Sequence, residues 1–137
     1  MKKYMLLACT ALLVFSANAQ TPGYKVVFDM SSKDTVNQQT LIRELTLISQ
    51  GNPAAKMEVV VYGQGLSLVT NGESAQHAAV QKLAADKNIS FKVCAMTMKR
   101  NNVDKAGLLP GIQVVPDGIY EIVSKQQQGW GYIKVAH

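Results

Sequence analysis

The sequence predicts an α/β fold, a mostly parallel sheet with helices on both faces. Short runs rich in β-branched residues recur along the chain and alternate with stretches of helical periodicity. The first of these runs is apolar almost throughout rather than alternating, as in a central strand covered on both sides. Because each strand is followed by a helix before the next strand begins, the connections read as right-handed βαβ crossovers.

Tyr24 to Met30 reads as the first strand. Ser31, Ser32 and Asp34 then offer turn and N-cap chemistry for a helix ending near Gln50, with Leu41, Ile42, Leu45 and Ile48 toward the core. One turn earlier that face carries Asn37 and Gln38, which either project past the core into water or line a pocket above the strand ends. Gly51-Asn52-Pro53 stops the helix, and Met57 to Tyr62 forms a second strand. Gly63-Gln64-Gly65-Leu66 follows; it lacks the third glycine and the downstream acid of a dinucleotide fingerprint, so it reads as a turn.

Asn71 is placed to cap a second helix from about Gly72 to Asp86, with Ala75, Ala79, Val80 and Leu83 on its packing face. His77 lies off that face, either at its boundary in solvent or as a proton shuttle. Ile89 to Val93 is the third strand, and a short helix is expected over about Thr97 to Asn102. Ile112 to Val115 is a fourth strand. Asp117 then caps a helix whose apolar face carries Ile119, Ile122 and Val123 and which Gly129 ends. Trp130 to Val135 is the last strand, with Trp130, Tyr132 and Lys134 on one side.

The amino end bears on compartment. Lys2 and Lys3 precede an apolar run from Met5 to Phe15, and Ala17-Asn18-Ala19 supplies small residues for cleavage before Gln20. Residues 1–19 therefore read as a signal peptide and 20–137 as one domain, periplasmic or secreted. The run is short for a membrane span, and no stable anchor is expected. Leu6-Leu7-Ala8-Cys9 offers a competing lipoprotein cleavage box, but few apolar residues precede its cysteine. Cleavage after Ala19 lowers the net charge from +5 to +3, and no basic block remains, which argues against nucleic acid as a partner.

Cleavage also discards Cys9 and leaves Cys94 as the sole thiol, so no intrachain disulfide or CxxC pair can form. With His77 and His137 the only histidines, no metal-ligand cluster is legible. Cys94 falls at the carboxyl end of the third strand, where open α/β sheets bind ligands. A helix amino end, the Thr97 hydroxyl and the cations Lys99 and Arg100 are all in position to favour its thiolate. A small buried core residue is the opposing reading.

Four segments add a resemblance. Tyr62-Gly63-Gln64-Gly65-Leu66, Phe91 through Met98, Leu109-Pro110-Gly111 with Val114-Val115-Pro116, and Glu121 through Ile133 together resemble the DsrE/DsrF-like family in order and spacing, in particular its exported single-domain members. The resemblance implies a three-layer α/β/α fold with a five-stranded, mainly parallel sheet, and a homo-oligomer, trimer or hexamer. It also implies that Cys94 carries a persulfide from a sulfur donor to an acceptor thiol, with no metal or organic cofactor. Thr97, Lys99 and Arg100 would attend that thiol. The alternatives are a binding module in which Asn37, Tyr62, Gly63, Gly65 and Cys94 line a small-ligand pocket, and a structural oligomer in which the thiol is packing.

Overall fold

A computed structural model describes residues 23–136. The expected signal peptide, with Lys2, Lys3 and Cys9, lies outside the described residues, as does His137. Five strands form one sheet: β1 (Lys25–Met30), β2 (Lys56–Val61), β3 (Ile89–Cys94), β4 (Gln113–Val115) and β5 (Gly131–Lys134). The helices are α1 (Thr35–Gly51), α2 (His77–Ala84), α3 (Ala95–Arg100) and α4 (Gly118–Gln127). The order across the sheet is β4-β3-β2-β1-β5, and all four pairings are parallel.

This order explains the layering. From β1 to β4 the chain steps in one direction, so crossovers of one hand put their helices on one face; β5 returns to the far edge, and α4 falls on the other face. The main core lies between the sheet and α1 and α2, with Phe28, Met30, Val59 and Phe91 from strands meeting Leu41, Leu45, Val80 and Leu83. Each such side chain contributes about 1.5–3 kcal/mol by burial. The α4 face has a much smaller apolar cluster, Val27, Val60 and Ile122, edged by Tyr62 and Trp130.

Strand positions agree with the sequence to within a residue or two, whereas the helices depart in three places. Residues 71–76 form turns, not the first turns of α2: Gly72 has φ +81°, Thr70 bridges Leu108, and the Asn71 amide donates to the Gly107 carbonyl. The expected Asn71 cap is therefore absent, and α2 starts at the exposed His77 without a side-chain cap. Second, α3 begins at Ala95, two residues early, so Cys94 itself is its N-cap residue. Third, on α4 Ile122 is buried but Ile119 and Val123 are 52% and 45% exposed. The sheet beneath α4 presents Glu58 and Lys92, so the helix turns Glu121 and Lys125 inward instead.

Asn37 and Gln38 are buried, not projecting into water. Asn37 Nδ2 donates to Ser32 Oγ at 3.0 Å, and Gln38 Nε2 reaches Ser67 Oγ at 3.1 Å, so the polar first turn ties α1 to the loops after β1 and β2. Asp34 caps α1 by accepting from Val36 and Asn37 amides at 2.7 and 3.2 Å.

The edge strand β5 is fastened through a buried carboxylate. Asp29 accepts from Tyr132 Oη at 2.6 Å and from Lys134 Nζ at 3.1 Å. The hydrogen bond to Asp29, then burial, then the Asp29 charge push the Tyr132 phenol up to about 12. A folded pKa raised above the ordinary 10 means that this contribution is complete below pH 10 and is lost as pH rises through about 12. Tyr132→Phe is expected to cost about 1 kcal/mol at neutral pH, with the gap to the parent closing between these two values in denaturant titrations.

Candidate functional site

Cys94 ends β3 on the α4 side of the sheet, in register with Val115 of β4. The strand alternation that buries Phe91 and Val93 in the main core turns Cys94 the other way, toward α4. It is a free cysteine, only 6% exposed.

Two helices begin beside it. α3 starts at the next residue, and α4 starts at Gly118, after Asp117 has capped it by accepting from the Ile119 and Tyr120 amides at 2.8 and 3.3 Å. Gly118 is seated so closely that a Cβ there would lie 3.3 Å from the Cys94 Cβ, 3.2 Å from Val60 Cγ1 and 3.4 Å from the Tyr62 Cβ. The backbone amides of Gly118, Thr97 and Met96 and the Thr97 hydroxyl are the polar groups near enough to the sulfur to favour its anion.

Burial acts to raise the thiol's pKa; the Gly118 amide, the Thr97 amide and hydroxyl and the Met96 amide outweigh it, and the thiol lies below its ordinary value. Amides directed from helix starts favour an anion without bringing a full positive charge.

Thr97 joins the thiol to the glycine loop. Its Oγ1 accepts from the Gly63 amide at 3.1 Å, and its hydroxyl is among the groups that favour the Cys94 anion. Gly63 can present that amide because its φ is +56°, a conformation glycine adopts without strain. Residues 63–68 form a 3-10 helix, and its second glycine, Gly65, packs directly on the Met30 carbonyl. Beside this loop a cavity of about 320 Å³ is lined by Lys33, Gly63, Gln64, Ser67, Glu73 and Asn101 among others.

The structure thus brings together Cys94, Tyr62, Gly63 and Thr97, whereas Gly65 is turned to the Met30 carbonyl. Asn37 sits apart, in a hollow of about 100 Å³ between α1 and β5 that it shares with Ile133 and Lys134. Lys99 and Arg100 stand exposed on the last turn of α3, and the groups that reach the sulfur are amides and a hydroxyl. One contributor, Gly118, was missed in the sequence. Gly118 follows an N-capping Asp directly, a sign that a helix start could approach closely. Tyr62 Oη, which accepts from Lys134 Nζ at 3.4 Å, links the thiol's surroundings to Asp29. Among the described residues no group of three or more His, Cys, Asp or Glu gathers as a metal site, and no helix is long and apolar enough to cross a membrane.

A model of the DsrE/DsrF-like family matches residues 14–135. Among solved structures, a protein of unknown function from Methanobacterium thermoautotrophicum superposes with a TM-score of 0.76 at 29% identity, covering 81% of this chain and 98% of that one. The ychN protein from E. coli gives 0.69 at 10% identity, over 81% and 98%. A conserved protein of unknown function from Bacteroides thetaiotaomicron gives 0.67 at 13%, over 81% and 94%. The last two likenesses concern the fold alone. No curated protein matches the chain significantly.

Proposed function

Because the chain belongs to the DsrE/DsrF-like family, we propose that Cys94 accepts sulfane sulfur as a persulfide and passes it to an acceptor thiol. The observation that carries this reading is a free thiol at the carboxyl end of β3 where α3 and α4 both begin, with Gly118 seated against it and the Gly118, Thr97 and Met96 amides among the groups that favour its anion. Such donors favour the thiolate that must attack, and the same donors suit a persulfide anion.

In the first step the Cys94 thiolate forms a bond to the outer sulfur of a persulfide or thiosulfate donor. The donor's S–S bond breaks, and its electron pair leaves on the donor thiolate or on sulfite. In the second step an acceptor thiolate attacks the outer sulfur of Cys94-S-SH, and the Cys94 thiolate leaves. Sulfane sulfur moves between sulfur atoms, so neither step calls for an external oxidant, a metal or an organic cofactor.

The basic and apolar leader with its small-residue cleavage site supports export, so donor and acceptor belong to a periplasmic or secreted setting. The exposed Ile119, Tyr120 and Val123 on α4 support a homo-oligomer, with a trimer or hexamer as the sizes the family resemblance implies. The burial of Cys94 to 6% favours one rival, a module of the same fold that binds a small ligand or packs its thiol without turnover.

Incubation of the mature protein with thiosulfate, polysulfide or glutathione persulfide, followed by intact mass, separates these readings. A gain of sulfur that is absent after prior alkylation, and that an acceptor thiol removes, is the expected result. An unchanged mass with every donor contradicts transfer.

A further inference from the structure

α4 is fixed to its face of the sheet by little apolar contact. Ile122 packs on Val27 and Val60, and around this small cluster lies a group of four charges. Glu58 of β2 is 2% exposed, and its Oε2 meets Lys92 Nζ of β3 and Lys125 Nζ of α4, each at 3.1 Å. Glu121 of α4 meets the same two amines at 2.8 and 3.7 Å. Ser90 Oγ adds a contact to Glu58 Oε2 at 3.4 Å, and Lys125 also lies 4.6 Å from the Trp130 ring centroid.

Two charges come from the sheet and two from the helix, one of each sign on either side. Glu58 Oε1 is buried without a hydrogen-bond partner among the described residues. Burial and the neighbouring Glu121 carboxyl raise the Glu58 pKa, while Glu121, despite its own burial, is lowered by Lys92 and the other cluster partners. A buried ionic group with an unsatisfied oxygen is a poor device for stability, because desolvation offsets its attraction; its characteristic use is to define one arrangement of the elements it joins.

The arrangement defined here is the height and register of α4. Glu121 lies three residues from Gly118, about 4.5 Å along the helix axis. Gly118 already approaches Cys94 and Val60 so closely that an added Cβ would crowd both. A small movement of the helix therefore changes the contact between the Gly118 amide and the thiol.

We propose that Glu58, Lys92, Glu121 and Lys125 are positioning residues: together they clamp α4 to the sheet and keep the Gly118 amide on Cys94. The inference rests on Cys94 being the reacting group, and it names residues outside the thiol's own contacts.

The test is the pH dependence of Cys94 alkylation by iodoacetamide, a neutral reagent, in the parent, in Glu121→Lys and in the exchange Lys92→Glu/Glu121→Lys. Glu121→Lys places both helix charges at positive, against a sheet pair that sums to zero. The clamp predicts a titration midpoint raised by about one pH unit, a roughly tenfold loss of thiolate at neutral pH. A direct effect of added positive charge would lower the midpoint, so the sign discriminates. The exchange restores attraction across the interface, two acids on the sheet facing two lysines on the helix, and is expected to recover most of the shift.

Circular dichroism checks that each variant is folded. If Glu121→Lys does not fold, Glu121→Gln, which keeps the side-chain shape, is expected to shift the midpoint upward by a smaller amount. A folded variant with an unchanged or lowered midpoint overturns the clamp, and so does a raised midpoint that the exchange fails to restore. Sulfur loading of the parent is read separately by mass. Loading without a midpoint shift defeats the clamp alone, whereas a restorable shift without loading defeats sulfur transfer and leaves the clamp standing.

Discussion

A Cys94→Ser chain is expected to fold like its parent and to take up no sulfur. Serine is close to cysteine in size, and the amides of Gly118, Thr97 and Met96 that surround the thiol can serve a hydroxyl equally well. The change in stability should therefore stay within about 1 kcal/mol. Chemistry does not survive, because no thiolate remains to attack the donor and no S–S bond can form. Mass analysis after donor treatment, beside a denaturant titration of the same sample, checks both halves. Sulfur retained by folded Cys94→Ser would place the acceptor on another group and remove Cys94 from the mechanism.

Gly65→Ala is expected to be the most damaging small substitution near the site. An added Cβ would fall on the Met30 carbonyl oxygen, 3.0 Å from the Met30 carbonyl carbon and 3.2 Å from Ser31 Cα. These are backbone atoms at the end of a buried strand, and the same carbonyl accepts the Tyr62 amide at 3.1 Å. Relief therefore requires the loop after β2 to move, which costs about 3 kcal/mol and lowers the melting temperature by on the order of 10 °C. Movement of that loop also withdraws Gly63 from Thr97 Oγ1, so sulfur loading should slow in whatever fraction remains folded. Gly51→Ala is the control. Nothing lies within 4 Å of its added Cβ, and the change should be under about 1 kcal/mol, in the stabilising direction. Equal melting of Gly65→Ala and the parent would show that the loop is not fixed by this contact.

The sheet was legible because its strands are short runs rich in β-branched residues bounded by turn residues. The position of Cys94 at a strand end followed from the same pattern. The α4 face was misread for a physical reason. Periodicity assumes an apolar partner, but β2 and β3 offer Glu58 and Lys92 there, and the helix answered with Glu121 and Lys125. The i, i+4 spacing of those two residues was visible, but not that both turn inward. The first turns assigned to α2 were lost to a long-range contact, the Thr70–Leu108 bridge, which no local window contains. Placing the start of α3 at Thr97 rather than Ala95 concealed that Cys94 is the N-cap residue. It also drew attention to Lys99 and Arg100 when the nearest anion-stabilising groups are backbone amides, which sequence cannot display. Gly63 and Gly65 looked like one loop signal yet serve separate ends, the first a positive φ and the second a close approach to Met30.

The claim on which the rest depends is that these amides make Cys94 a thiolate more readily than a cysteine in water. The most direct measurement is the rate of Cys94 alkylation by a neutral reagent across pH in the folded parent, with the unfolded chain as reference. A midpoint below that of the unfolded chain is expected, with a slow plateau rate set by the burial of the sulfur. A midpoint at or above the unfolded value would mean that desolvation prevails over the Gly118, Thr97 and Met96 donors, and would contradict a nucleophilic Cys94.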